Sequence, residues 1–195
     1  MLMRLTLMRH GATGQPSYRG RIDDPLSALG WEQSHAAVAG LGWDFIVSST
    51  LRRCAEFAAQ LSATRGIPLC PDVRLVEYDF GAWQGVTVAQ LEREQPSALA
   101  AYRADPQRCP PPQGEDFAAF GRRIAAALDQ AVETALASGH RRVLVLTHGA
   151  VIRWVQCHLA ALPFGAMAET SIANASLHAV AWPRAASPEP RIPAA

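Results

Sequence analysis

The chain has 195 residues, 49% hydrophobic and 18% charged, enough apolar sequence for one domain with a substantial core. A formal net charge of +1 argues against a broad nucleic-acid footprint or a polybasic membrane surface. Cys54, Cys70, Cys109 and Cys157 show neither CxxC pairing nor zinc-type histidine spacing, and no apolar run has the length of a membrane span.

With no secretory signal, the expectation is a cytoplasmic protein whose thiols stay reduced and sit buried as small apolar groups. The chain has no lysine and its 18 Lys+Arg are all arginine, so a single arginine carries less meaning than usual.

Leu5 to Met8 reads as a first buried strand, ending in the turn Arg9-His10-Gly11. Gly14 to Pro25 has no apolar period and reads as a loop crossing a site. Ser27 is the expected N-cap of a helix over Ala28 to Leu41. Asp44 to Val47 gives a second strand running into Ser48 and Ser49, and a helix follows over Leu51 to Ala63, stopped by Gly66 and Pro68. Val73 to Val76 is the third expected strand. Thr87 to Glu94 and Ser97 to Ala104 read as short helices parted by Pro96, and Cys109 to Gly114 as a stiff, extended connection. Glu115 to Ala137 has helical period and ends at Gly139. Val143 to Leu146 is a core strand, Val151 to Leu162 the helix after it, and Ser176 to Trp182 a last strand at a sheet edge.

Strands alternating with helices predict an α/β fold: a three-layer α/β/α sandwich with a mostly parallel sheet. One domain over 1–182 is expected, with a small helical cap over the carboxyl edge at about 77–114. The Pro/Ala-rich stretch 183–195 reads as a disordered tail.

Ligands of such sheets bind beyond the carboxyl ends of the strands. Arg9-His10, Arg53, Glu77 and His148 all follow strand-like runs, so the topology can bring them to one edge. Together they offer a nucleophile, cations for phosphoryl oxygens and an acid for the leaving oxygen. The P-loop pattern is absent.

Four stretches in order, LMRHGAT, SSTLRRCAEFA, LVEYDFGAWQG and VLTHGAVIR, resemble the histidine phosphatase superfamily, also called phosphoglycerate mutase-like. The resemblance spans Leu5 to Trp182. It implies that His10 is the nucleophile and becomes a phosphohistidine, with Arg9 and Arg53 on the phosphoryl oxygens. It further implies that His148 donates to the transferred group and that Glu77 is the general acid. Gly11, Thr13, Gln15, Arg19, Gly20, Trp83 and Gly149 are the substrate-binding candidates, with Arg19 and Arg21 equally placed for the loop's contact. Where the family often has RHGETxxN, this chain has RHGATGQP, so Pro16 stands in the place of the asparagine and Gln15 or Ser17 are its candidate substitutes.

The resemblance implies a metal-independent phosphomonoesterase, a histidine-type acid phosphatase with no cofactor, whose partner is a small phosphorylated metabolite rather than nucleic acid or membrane. Family mutases carry a cap insertion and a C-terminal segment guarding the phosphoenzyme; neither is evident here, which favours hydrolysis. YRGRIDDPLSALGWEQ and QGEDFAAFGRR are similar to the α-ribazole phosphatase branch, which acts in cobalamin biosynthesis. The alternatives are a cofactor-dependent phosphoglycerate mutase, another sugar-phosphate phosphatase, and a non-catalytic phospho-ligand-binding member. Nothing in the pattern specifies an oligomeric state.

Overall fold

Strands inside a parallel sheet are covered on both faces and read as continuous apolar runs. The computed structural model describes residues 2–162, 165–166 and 171–182. In it, β1 (Met3–Arg9), β2 (Phe45–Ser49), β3 (Leu69–Asp72), β4 (Val143–Thr147) and β5 (Leu177–Trp182) form one sheet in the order β3-β2-β4-β1-β5. The pairs β2/β3, β2/β4 and β1/β4 are parallel, and β5 runs antiparallel to β1 at the edge. β2 and β4 are buried at every position.

The two-residue alternation of strand side chains divides the interior into two cores. Leu5, Leu7, Phe45, Val47, Val143 and Val145 meet α5 (Phe117–Ala137) and α6 (Gly149–Ala160) on one face. Met8, Ile46, Leu144 and Leu146 meet α1 (Ala28–Val38) and α2 (Arg52–Arg65) on the other. The expected three layers are therefore present. Two short helices, α3 (Val88–Glu94) and α4 (Pro96–Ala104), lie in the stretch expected as a cap, and its Trp83, Leu91, Leu99 and Tyr102 continue the α5/α6 core.

Local chemistry explains the helix boundaries. Ser27 Oγ accepts from Gly30 N at 3.1 Å and starts α1 as expected, and Gly66 at φ 64° ends α2. Thr87 caps α3, Pro96 opens α4, and Asp116 caps α5. The first turn of α2 takes its cap from a distant residue: Asp23 Oδ1 accepts from Arg52 N at 2.7 Å.

Three expectations are corrected. The third strand is Leu69–Asp72, not Val73–Val76: the β-branched Val73 lies in a 3-10 turn with its side chain largely in solvent. An edge position tolerates Pro71, which can donate no ladder bond. The Cys109 to Gly114 stretch is not extended throughout. Gly114 N donates to Pro111 O at 2.8 Å, closing a turn with Gln113 at φ 62°, and Ala82 N holds Pro112 O at 2.8 Å. Cys54 and Cys157 are buried, but Cys70 and Cys109 are exposed. The tail expected over 183–195 lies outside the described residues. Among the described residues no helix is long and apolar enough to cross a membrane.

Gly11 has a steric role. A Cβ there would lie 2.1 Å from the Gly30 carbonyl oxygen, and one on Gly30 would lie 2.0 Å from that of Ala12. The nucleophile turn and α1 thus touch backbone to backbone. Gly11→Ala is expected to destabilise the fold by about 2 kcal/mol or more through overpacking, read as a lower urea midpoint. An unchanged midpoint would contradict this contact.

Candidate active site

Register places the two motif histidines together. Arg9 lies opposite Thr147 in the β1/β4 pair, so His10 and His148 leave the sheet side by side. Their ring centroids are 5.2 Å apart. β2 ends at Ser49 on the other side of β4, and Arg53 sits in the first turn of α2. The carboxyl edge of three parallel strands therefore carries the groups that the sequence spreads over about three-quarters of the chain.

His10 is almost wholly buried, and its Nδ1 lies 2.7 Å from the Gly11 carbonyl oxygen. A carbonyl only accepts, so Nδ1 carries the hydrogen and Nε2 keeps its lone pair. Burial, followed by the nearby Arg53 guanidinium, brings the His10 pKa down from 6.5 to about 3, with Arg9 adding to the effect and the Gly11 bond opposing it. The ring is neutral near pH 7, as a nucleophile must be.

Arg9 Nη1 donates to Ile172 O at 2.5 Å. Among the described residues, Arg9 Nε is the one buried side-chain nitrogen or oxygen without a hydrogen-bond partner. A buried donor left so is costly, which suits it to an incoming oxyanion. Burial weighs most against the Arg9 charge, Glu77 favours it, and Arg153 and Arg53 oppose it.

Arg53 is buried and braced. Its Nη2 and Nη1 donate to Gly20 O at 2.6 Å and Ile22 O at 2.7 Å, and its Nε donates to His148 Nδ1 at 3.2 Å. That last bond makes His148 Nδ1 an acceptor, so Nε2 carries the hydrogen and donates to Ser49 Oγ at 2.7 Å. Burial, then the charge of Arg53, holds His148 well below the ordinary histidine value. Cys54 Sγ lies 3.7 Å from His148 Nε2, and its thiol is pushed up to about 12 by burial. It stays a thiol and is inert as a nucleophile.

Glu77 is held at both oxygens. Oε1 accepts from Tyr78 N at 3.0 Å, and Oε2 from Ala150 N at 3.3 Å in the first turn of α6.

Arg9, His10, Arg53 and Glu77 border a cavity of about 430 Å³. Of the sequence candidates, Arg9, His10, Thr13, Gln15, Arg19, Gly20, Arg53, Glu77 and Gly149 line it. Gly11, His148 and Trp83 do not. Gly11 packs against α1, and His148 lies beneath the cavity holding Arg53. Trp83, expected at the substrate, is a core residue of the cap: it is 1% exposed, with its Nε1 donating to Gln95 Oε1 at 3.0 Å and its ring against Tyr102. Its large apolar ring serves burial better than a polar pocket would.

Between the two loop arginines the structure discriminates. Arg19 lines the cavity, forked onto Asp24 at 2.6 and 2.9 Å and onto Ser17 Oγ at 2.9 Å. Arg21 turns away to Asp79 and Glu115. Pro16 itself lies in the wall beside Gln15 and Ser17. Lining residues that were not among the sequence candidates include Tyr18, Phe80, Arg153 and Asn174. Arg153 lay in a quoted motif, one helical turn beyond Gly149, and that spacing was the available signal. Among the described residues no cluster of three or more His, Cys, Asp or Glu could hold a metal ion.

The family model described as histidine phosphatase superfamily (branch 1) matches residues 5–187. The chain belongs to the histidine phosphatase superfamily. It is 35% identical over 171 residues to the glucosyl-3-phosphoglycerate phosphatase of Mycobacterium tuberculosis, covering 82% of this chain and 76% of that protein. It is 30% identical over 171 residues to the adenosylcobalamin/alpha-ribazole phosphatase of Escherichia coli, covering 85% and 83%. The solved structure of a mycobacterial glucosyl-3-phosphoglycerate phosphatase superposes with a TM-score of 0.75 at 33% identity, covering 91% of this chain and 89% of that one. The protein is thus similar to named phosphatases of the superfamily and is an enzyme of that kind.

Proposed function

We propose that this phosphatase is a metal-independent phosphomonoesterase that works through a phosphohistidine on His10. One observation supports this above the others: a neutral His10 of fixed tautomer shares one cavity with Arg9, Arg53 and Glu77. His10 Nε2 attacks phosphorus, the Nε2–P bond forms as the bond to the leaving oxygen breaks, and the Glu77 proton passes to that oxygen. Water then attacks the phosphohistidine and gives a proton back to Glu77, releasing phosphate and neutral His10. Arg9 Nε and the Arg53 guanidinium stabilise the charge on the transferred oxygens, and His148 keeps Arg53 in place. A solved relative, a mycobacterial glucosyl-3-phosphoglycerate phosphatase, forms a complex with inorganic phosphate; it is 32% identical with a TM-score of 0.73, covering 91% of this chain and 88% of that one.

For the natural substrate, similarity to the alpha-ribazole phosphatases supports α-ribazole 5′-phosphate. Arg153 in the cavity wall supports a second reading, a leaving group that carries a carboxylate, as glucosyl-3-phosphoglycerate does. The test compares kcat/KM for α-ribazole 5′-phosphate, glucosyl-3-phosphoglycerate and 3-phosphoglycerate in the presence of a chelator. The carboxylate reading predicts that Arg153→Gln raises KM by about tenfold for the carboxylated esters alone. An equal effect on α-ribazole 5′-phosphate would contradict it. Isomerisation of 3-phosphoglycerate without phosphate release would make the protein a mutase, and binding without turnover of any ester would make it a non-catalytic member.

A further inference from the structure

Glu115 and Arg123 form an ion pair that lines no part of the cavity, with side chains 11% and 16% exposed. The contact is a fork: Arg123 Nε to Glu115 Oε1 at 2.6 Å and Nη2 to Oε2 at 2.9 Å. The rest of the guanidinium is turned onto backbone. Nη1 donates to Arg74 O at 2.5 Å and Val76 O at 2.7 Å, and Nη2 to Glu77 O at 3.0 Å. Its plane also lies over the Phe120 ring, with Cζ 4.8 Å from the centroid.

Glu115 grips the next residues of the same segment. Its N–H donates to Asp79 O at 3.0 Å, its carbonyl accepts from Tyr78 Oη at 2.6 Å, and its Oε2 accepts from Asp79 N at 3.4 Å. Arg21 of the substrate-facing loop reaches Glu115 Oε1 at 3.2 Å. After the 3-10 turn Val73–Leu75, residues 76–80 have no helix or strand to satisfy their backbone. Arg123 and Glu115 supply partners for Val76 O, Glu77 O and both backbone groups of Asp79 instead.

We infer that Glu115 and Arg123 are positioning residues for Glu77, fixing the backbone from which its carboxyl reaches the leaving oxygen. The inference rests on Glu77 being the general acid. Proton transfer requires hydrogen-bond reach, and a shift of about 1 Å can cost about 10²-fold. An ammonium is a point charge and cannot span a carboxylate fork and three carbonyls together.

The test uses Arg123→Lys and Glu115→Asp, which keep the charges of the pair, beside Glu77→Gln. Both are expected to lose about 30-fold or more in kcat on an alkyl phosphate, with KM unchanged, and under about threefold on p-nitrophenyl phosphate. Combined with Glu77→Gln, neither should add further loss on the alkyl ester, because the acid they position is already gone. A purely structural role predicts equal losses on both substrates and additive losses in the double variants, and either result overturns the inference. If one variant fails to fold, the other decides, since the two hold different residues of the segment. Failure of the underlying reading looks different: Glu77→Gln itself would then fail to discriminate between the two substrates.

Discussion

His10→Ala is expected to lower kcat/KM by about 10⁴-fold or more on every phosphomonoester while leaving a folded protein. The size follows from what the ring alone provides. Arg9 and Arg53 can still bind a phosphoryl group in the variant, but no nitrogen lone pair remains to take the phosphorus. The same substitution should alter the acid side of the stability curve, and the sign is fixed by linkage. The native ring has a pKa of about 3 against 6.5 for an ordinary histidine, so between those values the unfolded chain binds the proton and the folded one does not. The stability from a neutral His10 is whole above pH 6.5 and is lost progressively as pH falls towards about 3. At about pH 5 this loss amounts to about 2 kcal/mol, which His10→Ala escapes. Thermal melts of the two proteins should therefore converge, or cross, as the medium is acidified. Parallel melting curves would mean that His10 is not held neutral.

Glu77→Gln is expected to separate substrates by their leaving groups. Alkyl phosphates release a basic alkoxide and should lose about 10²- to 10⁴-fold in kcat. The acidic phenol of p-nitrophenyl phosphate departs with little protonation and should lose about tenfold or less. The carboxamide replaces one of two accepting oxygens by a donor, so it opposes either the Tyr78 or the Ala150 N–H. A small common loss on both substrate types reflects that mismatch, and the additional selective loss measures the missing proton. Steady-state kinetics on both substrates check this, and equal large losses would assign the acid to another residue.

The reach of sequence reasoning followed how locally each feature is encoded. β2 and β4 were legible because their apolar runs and the turns after them are contiguous. β3 was placed one segment late, because the β-branched Val73 and Val76 look more like a strand than Leu69-Cys70-Pro71-Asp72 does. Pairing with β2 at a sheet edge, which no local pattern records, decided the matter. That Arg9, His10, Arg53 and His148 come to one sheet edge was legible because each ends or closely follows a strand. Trp83 lies inside the stretch LVEYDFGAWQG, but an aromatic residue in a motif gives no sign of which way it faces, and here it packs into the α5/α6 core. Gly11 fell within the motif, yet its reason is the close passage of Gly30, a contact made only in the fold. Asn174 and Tyr18 come from irregular segments whose path over the cavity no periodicity encodes. Arg123 ends the quoted stretch QGEDFAAFGRR, but in a chain without lysine a helical arginine looks like surface, and nothing local shows its partner.

The most direct measurement is rapid quenching of the enzyme with excess phosphomonoester, followed by mass analysis of peptides kept at alkaline pH. The account predicts one acid-labile phosphoryl group on His10, formed and lost at rates consistent with kcat and missing in His10→Ala. Turnover with no phosphorylated intermediate, or with the phosphoryl group on another residue, would contradict it.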